Sequence, residues 1–146
     1  MFSKSNKLMF LATTLAILGL GMCTDDRLDV TGDIKLQADL QEIFNKMASA
    51  GKLPQMTIIE VYNIEVSTTL LCTTIKAKLR VNYSNQRNKD VVVIIKSCLL
   101  GIGGNEITVT ADGKQIGYLK ESLGGILSGT ISSIINYVLN VLGLGK

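Results

Sequence analysis

The chain predicts an α+β domain in which an antiparallel sheet of four to five strands packs on an N-terminal helix and a long C-terminal helix, both amphipathic. Three observations predict it. Apolar residues recur at helical spacing after Asp33 and again after Leu119, the middle of the chain is rich in Thr, Ile and Val, and apolar and polar residues there alternate with the period of two of a half-buried strand.

The first residues come before this domain. Lys4 and Lys7 precede an uncharged apolar run from Leu8 to Met22, which stops just before Asp25 and Asp26. That layout is a secretory signal peptide, and the run falls short of the roughly 20 apolar residues of a spanning helix. Small residues permit cleavage after Gly21 or after Cys23. The second choice leaves an even pair, Cys72 and Cys98, which suits an oxidising compartment. Residues 1–23 are therefore read as the signal and residues 24–146 as one secreted, extracellular domain. The roughly 120 remaining residues are enough for one core and too few for two.

Composition excludes several functions. The net charge is +3, and loss of Lys4 and Lys7 lowers it to about +1. Lysines are scattered and Trp is absent, so nucleic acid is not an expected partner. The chain has no histidine, which removes the commonest general base, the Ser-His-Asp and Cys-His arrangements and the usual zinc sites. No catalytic residue, metal or cofactor is expected, and the chain is read as not an enzyme. Glu60 and Glu65 are the one carboxylate pair close in sequence, but at five residues apart on a strand they should point to opposite faces. Gly101, Gly103 and Gly104 lack the Lys-Ser/Thr of a phosphate loop and read as turn glycines.

Within the domain, Asp33 can cap a helix that carries Leu36, Leu40, Ile43, Phe44, Met47 and Ala48 on one face and stops at Gly51. After Pro54, Met56 to Val66 reads as an extended strand, with Ile58, Glu60 and Tyr62 alternating against Ile59 and Val61. Ile75, Ala77, Leu79, Val81 and Tyr83 then share one face of a strand whose other face carries Lys76, Lys78 and Arg80. A polar turn from Ser84 to Lys89 leads into a second apolar strand, Asp90 to Leu100.

Folding this hairpin about Asn85 sets Leu79 opposite Val91, Ala77 opposite Val93 and Ile75 opposite Ile95. The same register sets Arg80 across from Asp90 and Cys72 across from Cys98, which predicts a cross-strand disulfide. Asn82-Tyr83-Ser84 is an N-glycosylation sequon near the hairpin tip, with Asn82 as the acceptor. Glu106 to Ala111, Asp112-Gly113 and Lys114 to Leu119 predict a second hairpin that pairs Val109 with Ile116.

From Leu119 to Leu142 apolar residues fall at helical spacing for about six turns. The opposite face is unusual: between Glu121 and Lys146 it has no charge, only Ser, Thr, Asn, Gly and one Tyr. Burial on both faces inside a wrapping sheet, reversible exposure at an apolar interface, and a membrane-active tail each account for such a face, and a buried helix leaves room for a core that also admits a lipid.

The element order resembles the bactericidal/permeability-increasing protein family, and in particular its short secreted PLUNC-like and latherin-like branch. Ile75 to Gly113 carries the resemblance, above all Val91-Val-Val-Ile-Ile-Lys-Ser-Cys98 and Asn105-Glu-Ile-Thr-Val-Thr-Ala-Asp-Gly113, followed by Leu119 to Leu144. It implies a curved sheet wrapped on a long helix, an apolar pocket for acyl chains, and roles in lipid binding, surface activity or host defence. In that family the matching strand cysteine bonds to a later cysteine, whereas here Cys72 precedes Cys98.

On this reading the ligand is a lipid or other amphiphile, or a membrane or air-water interface. Its contacts are Leu123, Ile126, Leu127, Ile131, Ile134, Ile135, Val138 and Leu142 facing Ile75, Leu79, Val91 and Val93. The alternative is a solid-cored domain that recognises a protein partner through Lys76, Lys78 and Arg80.

Overall fold

The computed structural model describes residues 24–98 and 104–142. The expected signal segment, Gly101 and Gly103 lie outside them. The elements are β1 (Thr24–Leu28), α1 (Ile34–Ser49), β2 (Thr57–Thr68), β3 (Cys72–Tyr83), β4 (Gln86–Cys98), β5 (Gly104–Ala111), β6 (Lys114–Glu121) and α2 (Ser128–Leu142). The five long strands make an open antiparallel meander in chain order, and short β1 adds a sixth strand at the β2 edge. β1 was not expected, because Thr-Asp-Asp-Arg-Leu has no apolar alternation to announce it.

α1 forms as its caps predict. The Asp33 carboxylate accepts the Leu36 amide at 3.0 Å, and Gly51 leaves the helix with φ +74°, a left-handed conformation that favours glycine. Leu36, Leu40, Ile43, Phe44 and Met47 are buried against the sheet. Two glutamines fix its position: Gln41 accepts the Ile58 amide at 2.7 Å and donates to the Met56 carbonyl at 3.0 Å, while Gln37 donates to the Ile58 carbonyl at 3.1 Å.

The β3–β4 hairpin has the expected register. Leu79 faces Val91, Ala77 faces Val93, Ile75 faces Ile95 and Arg80 faces Asp90, and a disulfide joins Cys72 to Cys98. The turn itself is tighter than expected. Ser84 and Asn85 alone form it, with φ of +48° and +67°, the left-handed pair that matches the strand twist.

Three expectations are corrected. β2 does not alternate simply, because register shifts between Ile58 and Glu60 and between Val61 and Asn63 bring Ile58, Val61, Ile64 and Val66 all to the inner face. In the β5–β6 hairpin a shift between Val109 and Thr110 sets Val109 opposite Gly117 rather than Ile116. The C-terminal helix is shorter than the spacing from Leu119 predicted: β6 continues to Glu121, and α2 begins only at Ser128. Gly124 and Gly125 stand in the intervening turn, where helix propensity is lowest.

Both helices bury their apolar faces with the inner sheet face in one core. The far edge is tied down as well: the Tyr118 amide of β6 donates to the Lys52 carbonyl at 3.2 Å. Gly117 permits that approach, since a Cβ there would strike the Leu53 side chain.

Candidate functional site

The residues expected to line a lipid pocket divide into two groups. Leu127, just before α2, and Ile131, Ile134 and Val138 of α2, with Ile75, Leu79, Val91 and Val93 of the sheet, are at most 1% exposed and belong to one core cluster. Ile135 is packed against its margin. Leu123 and Ile126, by contrast, precede α2 in the turn and stand 49% and 60% exposed. Leu142 closes α2, and its side chain lies outside the description.

The charge-free face of α2 is explained by the neighbouring helix. Tyr137 donates to Asp33 at 2.7 Å, Ser133 to Asp39 at 3.4 Å and Thr130 to Glu42 at 3.0 Å, while Lys46 donates to the Ile126 carbonyl at 3.3 Å. The partners descend α2 as they ascend α1, so the helices run antiparallel with α1 supplying the charges and α2 the hydroxyls. The Lys46 ammonium, and then the Thr130 hydroxyl, hold the Glu42 carboxyl below its ordinary range. The Asp33 hydrogen bond, helped by burial, pushes the Tyr137 phenol above its own.

The start of α2 is held by the sheet. Glu121 accepts the Leu127 amide at 3.0 Å, Ser128 accepts the Gly124 amide at 2.8 Å, and Asn105, only 2% exposed, donates to Ser128 at 3.1 Å. Gly104 has φ +83°, and a Cβ there would strike the Glu121 carbonyl. Among the described residues the Asn105 Oδ1 has no hydrogen-bond partner.

The remaining half of the exposed stripe of α2 meets the disulfide-bearing end of the sheet. Ser132, Ile135 and Asn136 border a shallow depression of about 250 Å³ with Thr69, Leu70, Leu71, Thr73 and Ser97. Among the described residues no ionisable side chain lines it. Leu70 and Leu71 form the β2–β3 turn and are 73% and 36% exposed. The sequence reading missed them, although two leucines where a turn should be polar were a visible signal. A second depression, about 730 Å³, lies between the end of α1 and Ile126, bordered by Glu42, Asn45, Lys46, Ser49 and Ala50.

The outer sheet face carries charge. Glu60 and Glu65 both lie on it, opposite Arg80 and Lys76, which corrects the expectation of opposite faces; the second β2 register shift falls between them. Four carboxylates of this face are engaged. Glu65 pairs with Arg27 at 3.2 Å, Glu60 and Asp90 with Arg80 at 3.2 and 3.9 Å, and Glu106 accepts the Tyr118 hydroxyl at 2.6 Å. Among the described residues Lys76, Lys78, Lys96 and Lys120 are left without an ion pair, whereas Arg80 is taken.

Asn82, the sequon asparagine, is half-buried on this face. Its Oδ1 accepts the Asn88 amide at 3.0 Å and holds the register shift beside the hairpin tip. Among the described residues no cluster of His, Cys, Asp and Glu could hold a metal, and no helix is long and apolar enough to cross a membrane. No protein family, curated protein or solved structure matches the chain.

Proposed function

We propose that the chain is a secreted, non-enzymatic domain that binds lipid or another amphiphile at its surface, around a solid core. One contrast carries this reading. Leu127, Ile131, Ile134 and Val138, which a pocket would need, are at most 1% exposed, as are Ile75, Leu79, Val91 and Val93 opposite them, while Leu70, Leu123, Ile126 and Val141 stand 73%, 49%, 60% and 48% exposed. These exposed aliphatic side chains, outside a filled core, are the apolar surface open to an interface.

Secretion is supported by the Cys72–Cys98 disulfide, since such bonds persist in oxidising compartments. The curved sheet of the resembled family belongs to this reading too. Four register shifts, each a point where a strand bends, support it, as does the Tyr118–Lys52 bond, which ties the β6 edge to the connection entering β2. Kinship with the bactericidal/permeability-increasing family then rests on element order, with the amphiphile held outside rather than within.

A film balance tests the proposal. The purified chain should adsorb to a clean air-water surface and raise the surface pressure, and an inert surface at micromolar protein would refute it. A second reading is favoured by the lysine accounting: Lys76 and Lys78, free of ion pairs among the described residues, suit an acidic protein partner.

A further inference from the structure

The three strand-to-strand turns of the sheet that the structure describes in full are each two or three residues long. Two are chemically ordinary. Ser84-Asn85 and Asp112-Gly113 are polar, with positive φ at every position. The third, Thr69 to Leu71, has Leu70-Leu71 at its tip and is closed by the Thr69 amide donating to the Cys72 carbonyl at 2.8 Å and by the Cys72 amide donating to the Thr69 hydroxyl at 3.1 Å. Neither turn propensity nor core packing calls for leucine there, since Leu70 is 73% exposed. The turn is also pre-organised, because Cys72 joins Cys98 directly behind it.

Its surroundings suit insertion. Among the described residues the depression beneath the turn is bordered only by uncharged side chains, so moving these groups out of water desolvates no ion. Cations stand on the outer sheet face near this end. Lys96 and Lys120 lie on either side of Glu106 in one cross-strand row, two residues from the Cys98–Gly104 pair, and Lys76 lies diagonal to Lys96. Among the described residues none of these lysines makes an ion pair: Glu106, between Lys96 and Lys120, accepts the Tyr118 hydroxyl, and Glu65, opposite Lys76, pairs with Arg27.

We propose that this end docks on an anionic phospholipid bilayer, with Leu70 and Leu71 entering the interface and Lys76, Lys96 and Lys120 facing headgroup phosphates. The inference rests on the amphiphile-surface reading and names its lipid class and contact site. An apolar tip below a basic collar fits a bilayer, where acyl chains lie beneath phosphates; an acidic protein face would leave Leu70 without a counterpart.

The test is sedimentation of the full secreted chain with vesicles of phosphatidylcholine alone or mixed with phosphatidylserine. Leu70→Ser/Leu71→Ser should lower the partition coefficient on the order of 100-fold, and Lys96→Glu/Lys120→Glu should abolish the preference for phosphatidylserine. Unchanged circular dichroism is expected of both variants, since all four side chains are on the surface. If the leucine variant sediments like the unaltered chain, or if that chain binds polyglutamate but neither vesicle, the docking end is overturned while adsorption at the air-water surface can still stand. If the unaltered chain neither sediments nor adsorbs, both readings fail together.

Discussion

Tyr137 of α2 donates its hydroxyl at 2.7 Å to Asp33, the residue whose other carboxylate oxygen caps α1. One side chain thus starts the first helix and receives the last across 104 residues. Tyr137→Phe should cost about 1 kcal/mol in urea unfolding, and Asp33→Ala more, since it loses the cap as well. The pH dependence has a definite sign. The bond raises the folded phenol above its unfolded value of about 10, so its contribution is complete below that pH and is lost as pH rises through the folded value. Lys89, raised by Asp112, and Tyr118, raised by Glu106, act in the same direction. The alkaline limb of a stability profile should therefore be shallower in Tyr137→Phe.

The disulfide spans 26 residues of sequence. Loop-closure entropy then predicts a loss of about 3 to 4 kcal/mol on replacing both cysteines by serine. Guanidinium titration of Cys72→Ser/Cys98→Ser beside the oxidised chain measures it, and equal midpoints would show that the hairpin needs no covalent tie.

Gly104 and Gly113 both have positive φ, but only Gly104 has backbone where a Cβ would go. Gly113→Ala should pay the conformational penalty alone, about 1 kcal/mol. Gly104→Ala must also displace the Glu121 carbonyl, so its melting temperature should fall by several degrees more. Similar losses for the two would remove steric contact from the account of how α2 is anchored.

Asn82 accepts the Asn88 amide through Oδ1, which leaves its amide nitrogen for a glycan. Asn82→Asp keeps that acceptor and should be close to neutral, whereas Asn82→Ala should lose about 1 kcal/mol. In secreting eukaryotic cells Asn82→Asp should also remove one glycan mass, which intact mass spectrometry reads directly.

The β3–β4 hairpin was legible because three kinds of pairing coincide in one register: aliphatic residues on the inner face, Arg80 with Asp90, and Cys72 with Cys98. The caps of α1 were equally plain, since Asp33 and Gly51 act within a few residues of themselves. The β2 bulges were not, because a bulge depends on what the neighbouring strand and Gln41 offer to Ile58 rather than on any local residue type. Leu119 fits helical spacing and strand alternation alike, and only pairing with Ile107 assigns it to β6. The charge-free face of α2 was noticed, but its partners Asp33, Asp39 and Glu42 are about 90 to 100 residues away on the opposite helix, a separation that periodicity does not cross. The same holds for the pocket residues: spacing identifies Ile131 and Ile134 as apolar and inward, and only packing shows them in a filled core.

The central claim is that the core is solid and that amphiphile is met outside it. Native mass spectrometry of the chain secreted from eukaryotic cells, followed by organic extraction, tests that most directly. The account predicts the mass of the oxidised chain with its glycan and no lipid in the extract, and one acyl lipid retained per chain would contradict it.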